Sequence, residues 1–187
     1  QPYAAYADGD GGGTGGNLTE ELAALLRAQG LPVVCVSAQM TGLSPNAPLA
    51  DCRARVQALA RYCCRLYGNV TLIIDLRRSA ETAEGCLLAA AGQLDGQPAA
   101  QLRLIADARR TGADGLPDRA ASDADCALAL ALREALYRIS PTVSRPVLWR
   151  ASEGLVPSGL CGAGDAPRLL TVEAGAAGNR YAEAQAS

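Results

Sequence analysis

Short apolar runs alternate along this chain with longer segments of helical periodicity, and that alternation restricts the fold more than any single motif does. Pro2 to Ala7 is a short apolar run, followed by a glycine loop over residues 9–16. A helix is expected from Asn17, a good N-cap with Glu20 three residues later as in a capping box. Leu18, Leu22, Leu25 and Leu26 make its apolar stripe and Gly30 its stop. Leu31 to Ser37 reads as a buried strand, and residues 38–50, with their Gly, Pro and Asn, as an irregular loop. Asp51 caps a second helix, with Val56, Leu59, Cys63 and Leu66 on one face and Gly68 at its end. Val70 to Leu76 is apolar and partly β-branched, which predicts a central strand. Residues 84–107 predict two shorter strands around the turn Asp95-Gly96-Gln97-Pro98, and 108–120 a polar loop. Ser122 or Asp123 caps a third helix in which Leu128, Leu132 and Leu136 recur every fourth residue. Val147 to Arg150 reads as a short edge strand and 155–168 as a Gly/Pro-rich loop. Leu169 to Ala174 is the last strand, followed by a short helix around Tyr181.

This order implies a single α/β domain over residues 1–187, with a largely parallel, mixed sheet. A chain of 187 residues buries roughly two thirds of its unfolded surface. Its 49% hydrophobic content is rich in Ala, Leu and Val, with no Phe and one Trp, so close packing of small side chains is expected. Sites in such sheets form at the carboxyl ends of strands. Three segments qualify: the glycine loop, Asp75-Leu76-Arg77-Arg78-Ser79, and Glu173-Ala174-Gly175.

Composition then removes whole classes of chemistry. There is no His, so Ser-His-Asp and Cys-His triads and His-containing zinc sites are excluded. All seventeen positive side chains are Arg. The net charge of −2 argues against sequence-independent nucleic-acid binding, which needs a basic patch. No apolar run has the length of a membrane span. The chain starts at Gln1, not Met, which admits an upstream signal or anchor that has been removed. The cysteines, Cys35, Cys52, Cys63, Cys64, Cys86, Cys126 and Cys161, form no C-x-x-C pair. They read as small buried hydrophobes, with one or two disulfides in an oxidising compartment as the alternative.

Three segments carry a resemblance to a known family. The central strand ends Asp75-Leu76-Arg77-Arg78-Ser79, and the last strand reads Leu169-Leu170-Thr171-Val172-Glu173-Ala174-Gly175, with Asn179, Glu183 and Ala184 downstream. Between them lies Ser140-Pro141-Thr142-Val143-Ser144-Arg145-Pro146. In order and spacing these segments resemble the stage II sporulation protein P group of zinc-dependent N-acetylmuramoyl-L-alanine amidases. There the corresponding segments read Asp-Ile-His-Arg-Asp, Leu-Leu-Ile-Glu-Val-Gly followed by Asn-Thr-x-Glu-Glu-Ala, and Tyr-Pro-Gly-x-Ser-Arg. The resemblance implies a three-layer α/β sandwich of zinc-amidase type, in a bacterial cell envelope outside the cytoplasm. Its partners would be peptidoglycan or an envelope protein, with no nucleic acid and no membrane span.

The resemblance also implies a site that has changed. In the family two His and one Glu hold zinc, leaving a position for an activated water, and a Glu on the last strand is the general base. Here the first His position falls at or beside Asp10, and the second is Arg77. The ligand Glu falls within residues 14–17, where no carboxylate stands, and Glu173 keeps the general-base position. Arg offers no lone pair to a metal, so neither zinc nor another cofactor is expected. Arg77 is expected to replace the metal's charge, pairing with Glu173, Asp10 or Asp8, or else to reach out to solvent. Asp8, Asp75, Arg78 and Asn179 complete the candidate cleft.

The implied function is that of a catalytically inactive amidase homologue that binds peptidoglycan or protein. The alternatives are an active amidase with an unusual metal centre, and a structural partner in an envelope or sporulation assembly. Asp8, Asp10, Asp75 and Glu173 could also take a hard cation through oxygen. The glycine loop reads as a remnant of the metal site, with anion binding at the helix N-terminus as its alternative.

Overall fold

The computed structural model describes residues 15–36, 49–79, 82–83, 86–107, 119–150, 167–176 and 178–187. Two helices come first, α1 (Gly15–Ala28) and α2 (Leu49–Tyr67), then the strands β1 (Leu72–Ser79), β2 (Thr82–Ala83), β3 (Cys86–Leu87), β4 (Ala91–Leu94), β5 (Gln97–Ala100) and β6 (Leu102–Asp107). Helix α3 (Arg119–Ile139), strands β7 (Leu148–Arg150) and β8 (Arg168–Ala176), and helix α4 (Tyr181–Gln185) complete the order. The main sheet runs β1-β8-β6-β7. Its outer pairs are parallel, and its central β8–β6 pair is antiparallel. The fold is therefore mixed α/β, with the mixed sheet that the alternation of elements implies.

Helices α1, α3 and α4 pack on one face of this sheet. Strand alternation puts Leu76, Leu102, Leu104, Ala106, Leu170, Val172 and Ala174 on the same side. Leu18 of α1 and Ala184 and Tyr181 of α4 pack with Ala100, Ala174, Leu76 and Leu102. Cys126, Ala129 and Leu136 of α3 pack with Leu104, Ala106, Leu170 and Val172. Burying Leu104 or Leu170 fully contributes about 2 kcal/mol each. Ala100, Ala106 and Ala129 have no exposed surface, so small residues set the close approach of helix and sheet.

Several expectations need correction. Residues 31–36 form no strand. Helix α1 ends in a Schellman turn, with Gly30 N–H donating to Arg27 C=O and Leu31 N–H to Leu26 C=O. The Arg27 guanidinium then donates to Val33 C=O at 2.9 and 3.1 Å, so a side chain satisfies a carbonyl that a ladder would have used. Leu31 and Val34 stay exposed, which removes the reason for a buried strand. Strand β1, expected at the centre, stands at an edge among the described strands. The stretch 84–107 holds β3, β4, β5 and β6 in place of two strands, with the turn at Asp95-Gly96 joining β4 to β5 as expected. On α3 the buried positions are Asp125 and Ala129, while Leu132 is exposed. Leu128 and Leu136, one turn to either side of it, are half-buried. Leu25 of α1 and Leu66 of α2 are likewise exposed.

The segment Ser140–Pro146 is built into the sheet's end. Leu102 N–H donates to Val143 C=O, and Arg145 N–H donates to Leu102 C=O. The Ser140 and Thr142 hydroxyls donate to Gln93 C=O at 2.8 and 2.9 Å, and Gln93 N–H donates to Thr142 Oγ1 at 3.0 Å. This contact needs Gly92: a Cβ there would stand 2.8 Å from the Thr142 carbonyl carbon. Gly92→Ala is expected to destabilise the fold by about 1–3 kcal/mol, read as a lower urea midpoint, because backbone must move to relieve the overlap. An unchanged midpoint would show that the β4–β5 hairpin is not seated on this segment.

Candidate functional site

The opposite face of the sheet carries charge. Parallel register sets Arg77 of β1 beside Glu173 of β8, and antiparallel register sets Arg103 of β6 on the other side of Glu173. Three neighbouring strands thus place a cation, an anion and a cation in one row across the sheet. Arg103 Nε donates to Glu173 Oε2 at 2.8 Å, and its Nη2 donates to the same oxygen. Arg77 Nη2 lies 3.5 Å from Glu173 Oε1, within ion-pair range but longer than a good hydrogen bond. Arg103 Nη2 also donates to Ser79 Oγ at 3.2 Å. The side chains of Glu173, Arg103 and Arg77 are 6%, 9% and 15% exposed. At that depth charge-assisted bonds are strong, and removing one partner is costly.

The site residues inferred from sequence separate clearly. Arg77 and Glu173 meet. Asp75 lies two residues before Arg77 on the same strand face, in register with Thr171. Arg78 is buried, but alternation turns it away from the row. Asp8 and Asp10 lie outside the described residues, as do the glycines at 9–13.

Asn179, expected in the cleft, is instead a structural clamp with no exposed surface. Its Oδ1 accepts from Ala90 N–H and Ala176 N–H, both at 2.8 Å. Its Nδ2 donates to Ala90 C=O at 3.2 Å and to Glu183 Oε2 at 2.8 Å. Both acceptor and both donor positions of the amide are used, which leaves nothing for a ligand. Glu183 also accepts from Arg180 N–H at 3.1 Å, so the downstream Asn and Glu together tie β8 to α4. Gly175 makes room for the clamp: its φ is +66°, and a Cβ there would stand 2.8 Å from Asn179 Oδ1. Register shifts here, with three steps along β8 against two along β1. Gly175 is the bulge residue, where positive φ suits only glycine well.

Sequence reading missed Arg103. The available signal was a single charge between Leu102 and Leu104 in an apolar run, and a charge so placed needs a buried partner. That signal was lost when 84–107 was divided into two strands instead of ending in β6.

The described residues do not fit a zinc centre. Glu173 is engaged by two guanidiniums, which bring positive charge and no lone pair. Among the described residues no group of three His, Cys, Asp or Glu side chains converges. Cys35, Cys63, Cys64 and Cys126 are not in disulfides. Burial raises the Cys63 thiol pKa, and it raises that of Cys35 with help from Glu20, so both hold their protons more firmly than an exposed thiol. No helix among the described residues is long and apolar enough to cross a membrane.

Fold and row together define a mixed α/β domain with a buried arginine–glutamate–arginine ladder. No protein-family model, curated protein or solved structure matches the chain.

Proposed function

We propose that this chain is a non-catalytic relative of the sporulation-type N-acetylmuramoyl-L-alanine amidases, a three-layer α/β domain that acts in the bacterial cell envelope by binding peptidoglycan or a protein partner. One observation carries the reading: Glu173, at the position the resemblance assigns to the general base, is gripped by Arg103 and flanked by Arg77. A general base needs a lone pair within reach of a water or substrate proton. The Oε2 lone pairs are directed at a guanidinium, and Oε1 faces a second one. The two arginines sit on the neighbouring strands, so sheet register sets one on each side of Glu173. The row supplies positive charge where the family's metal would supply it, but no site for activating water.

The purified protein is expected to hold no stoichiometric zinc and to release no stem peptide from muropeptides. Stoichiometric metal together with stem-peptide release would overturn the reading. Sedimentation with purified sacculi then separates the two modes of binding: retention marks a peptidoglycan ligand, and its absence with intact fold marks a protein partner.

A further inference from the structure

Helix α2 carries Arg53, Arg55, Arg61 and Arg65 against a single Asp51, within a chain of net charge −2. At 100° per residue, Arg55, Ala58, Tyr62, Arg65 and Leu66 fall on one arc, and Arg61 borders it. All six are exposed. Tyr62 and Leu66 each keep 57% of their surface open to solvent. The residues beyond its other edge, Leu59, Cys63, Ala60 and Cys64, are the more buried ones.

Asp51 falls on the same arc and offsets one of its three arginine charges, so the arc stays net positive. Arg55, Arg61 and Arg65 make no ion pair with a described residue, although Asp51 stands one turn before Arg55. Arg61 and Arg65 are like charges at i and i+4, a spacing that disfavours the isolated helix. Three unpaired guanidiniums interleaved with a half-exposed tyrosine and leucine are complementary to a surface that is anionic outside and apolar beneath.

We propose that this arc of α2 docks on an anionic lipid surface. Arg55, Arg61 and Arg65 meet lipid phosphates, while Tyr62 and Leu66 enter the boundary between headgroups and acyl chains. A bilayer fits better than a nucleic acid. A duplex would leave Tyr62 and Leu66 against its charged backbone. Lipid attraction is local, acting within a Debye length of about 10 Å at 0.1 M salt. The inference does not depend on whether Glu173 is catalytic.

The test is sedimentation of the whole chain with vesicles of phosphatidylcholine alone or with added phosphatidylglycerol. Binding is expected only with phosphatidylglycerol, with release at about 1 M salt, where screening shortens to about 3 Å. Arg55→Gln, Arg61→Gln and Arg65→Gln combined should weaken binding on the order of 100-fold, at about fivefold per arginine. Tyr62→Ser with Leu66→Ser should weaken it by roughly tenfold or more, since two apolar side chains lose their burial. Both variants change exposed positions, and circular dichroism should report an unaltered fold. No binding to phosphatidylglycerol vesicles at low salt would overturn the proposal. So would undiminished binding by the folded arginine variant, or equal affinity for a DNA duplex or polyglutamate at the same salt.

Discussion

Glu173→Ala is expected to lower unfolding free energy by about 3–5 kcal/mol, because it leaves two guanidiniums in the sheet interior without their shared counter-charge. For a domain of this size that corresponds to a fall in Tm of roughly 10 °C or more. Chemical denaturation monitored by circular dichroism measures it. Glu173→Gln keeps the volume and one acceptor oxygen, so a smaller loss is expected. A second variant separates the charge from the packing. Arg103→Met combined with Glu173→Leu removes the closer pair and replaces it with apolar volume, and it should recover most of the stability lost in Glu173→Ala. Arg77, the most exposed member of the row, can then turn its head to water. If Glu173→Ala unfolds at the wild-type midpoint, the row is not the buried structural element described above.

Asn179→Ala is the second large effect, with an expected loss of about 2–4 kcal/mol. The substitution strands the backbone N–H groups of Ala90 and Ala176, both directed at Asn179 Oδ1, and each buried donor left unmade costs about 1–3 kcal/mol. Amide hydrogen exchange gives the local readout: Ala90 and Ala176 should lose protection more than residues of α3. Asn179→Asp keeps both acceptor contacts but sets a second carboxylate against Glu183, so a loss of comparable size is expected. Unchanged protection at Ala90 and Ala176 in Asn179→Ala would mean that the segment before β4 is not held by this amide.

These two residues also show how far the sequence could be read. The sequence places both in one candidate cleft, Glu173 on the last strand and Asn179 just after it. Glu173 does face Arg77, as one of the pairings open to Arg77 allowed. Asn179 is held instead by the backbone of Ala90 and Ala176 and by the Glu183 carboxylate. No feature of one-dimensional spacing distinguishes a polar side chain that faces a cleft from one that clamps two strands. That difference depends on Ala90, which is 89 residues away in the chain. Arg103 was missed for a related reason. Its partner is 70 residues distant, and β6 had not been recognised as a strand of the main sheet.

Local chemistry was the more legible part. The Asp95-Gly96 turn and the stops at Gly30 and Gly68 depend on backbone preferences of residues close in sequence, and each occurs where it was read. Strands β1, β7 and β8 were found within a few residues of their bounds, because apolar β-branched runs are visible without knowing their neighbours. Residues 31–36 carry the same signal and yet form no strand. An apolar run states a preference for burial, but it becomes a strand only where a neighbour offers ladder bonds, and Arg27 meets Val33 instead.

The sequence by itself determined the α/β class and the absence of imidazole chemistry, since these follow from residue identity and short-range pattern. Only the tertiary structure decided that β8 lies between β1 and β6, and with it that Glu173 is held between Arg77 and Arg103. Strand order is set by packing and hydrogen bonding between segments far apart in the chain, and no local periodicity encodes which strand becomes the neighbour of which.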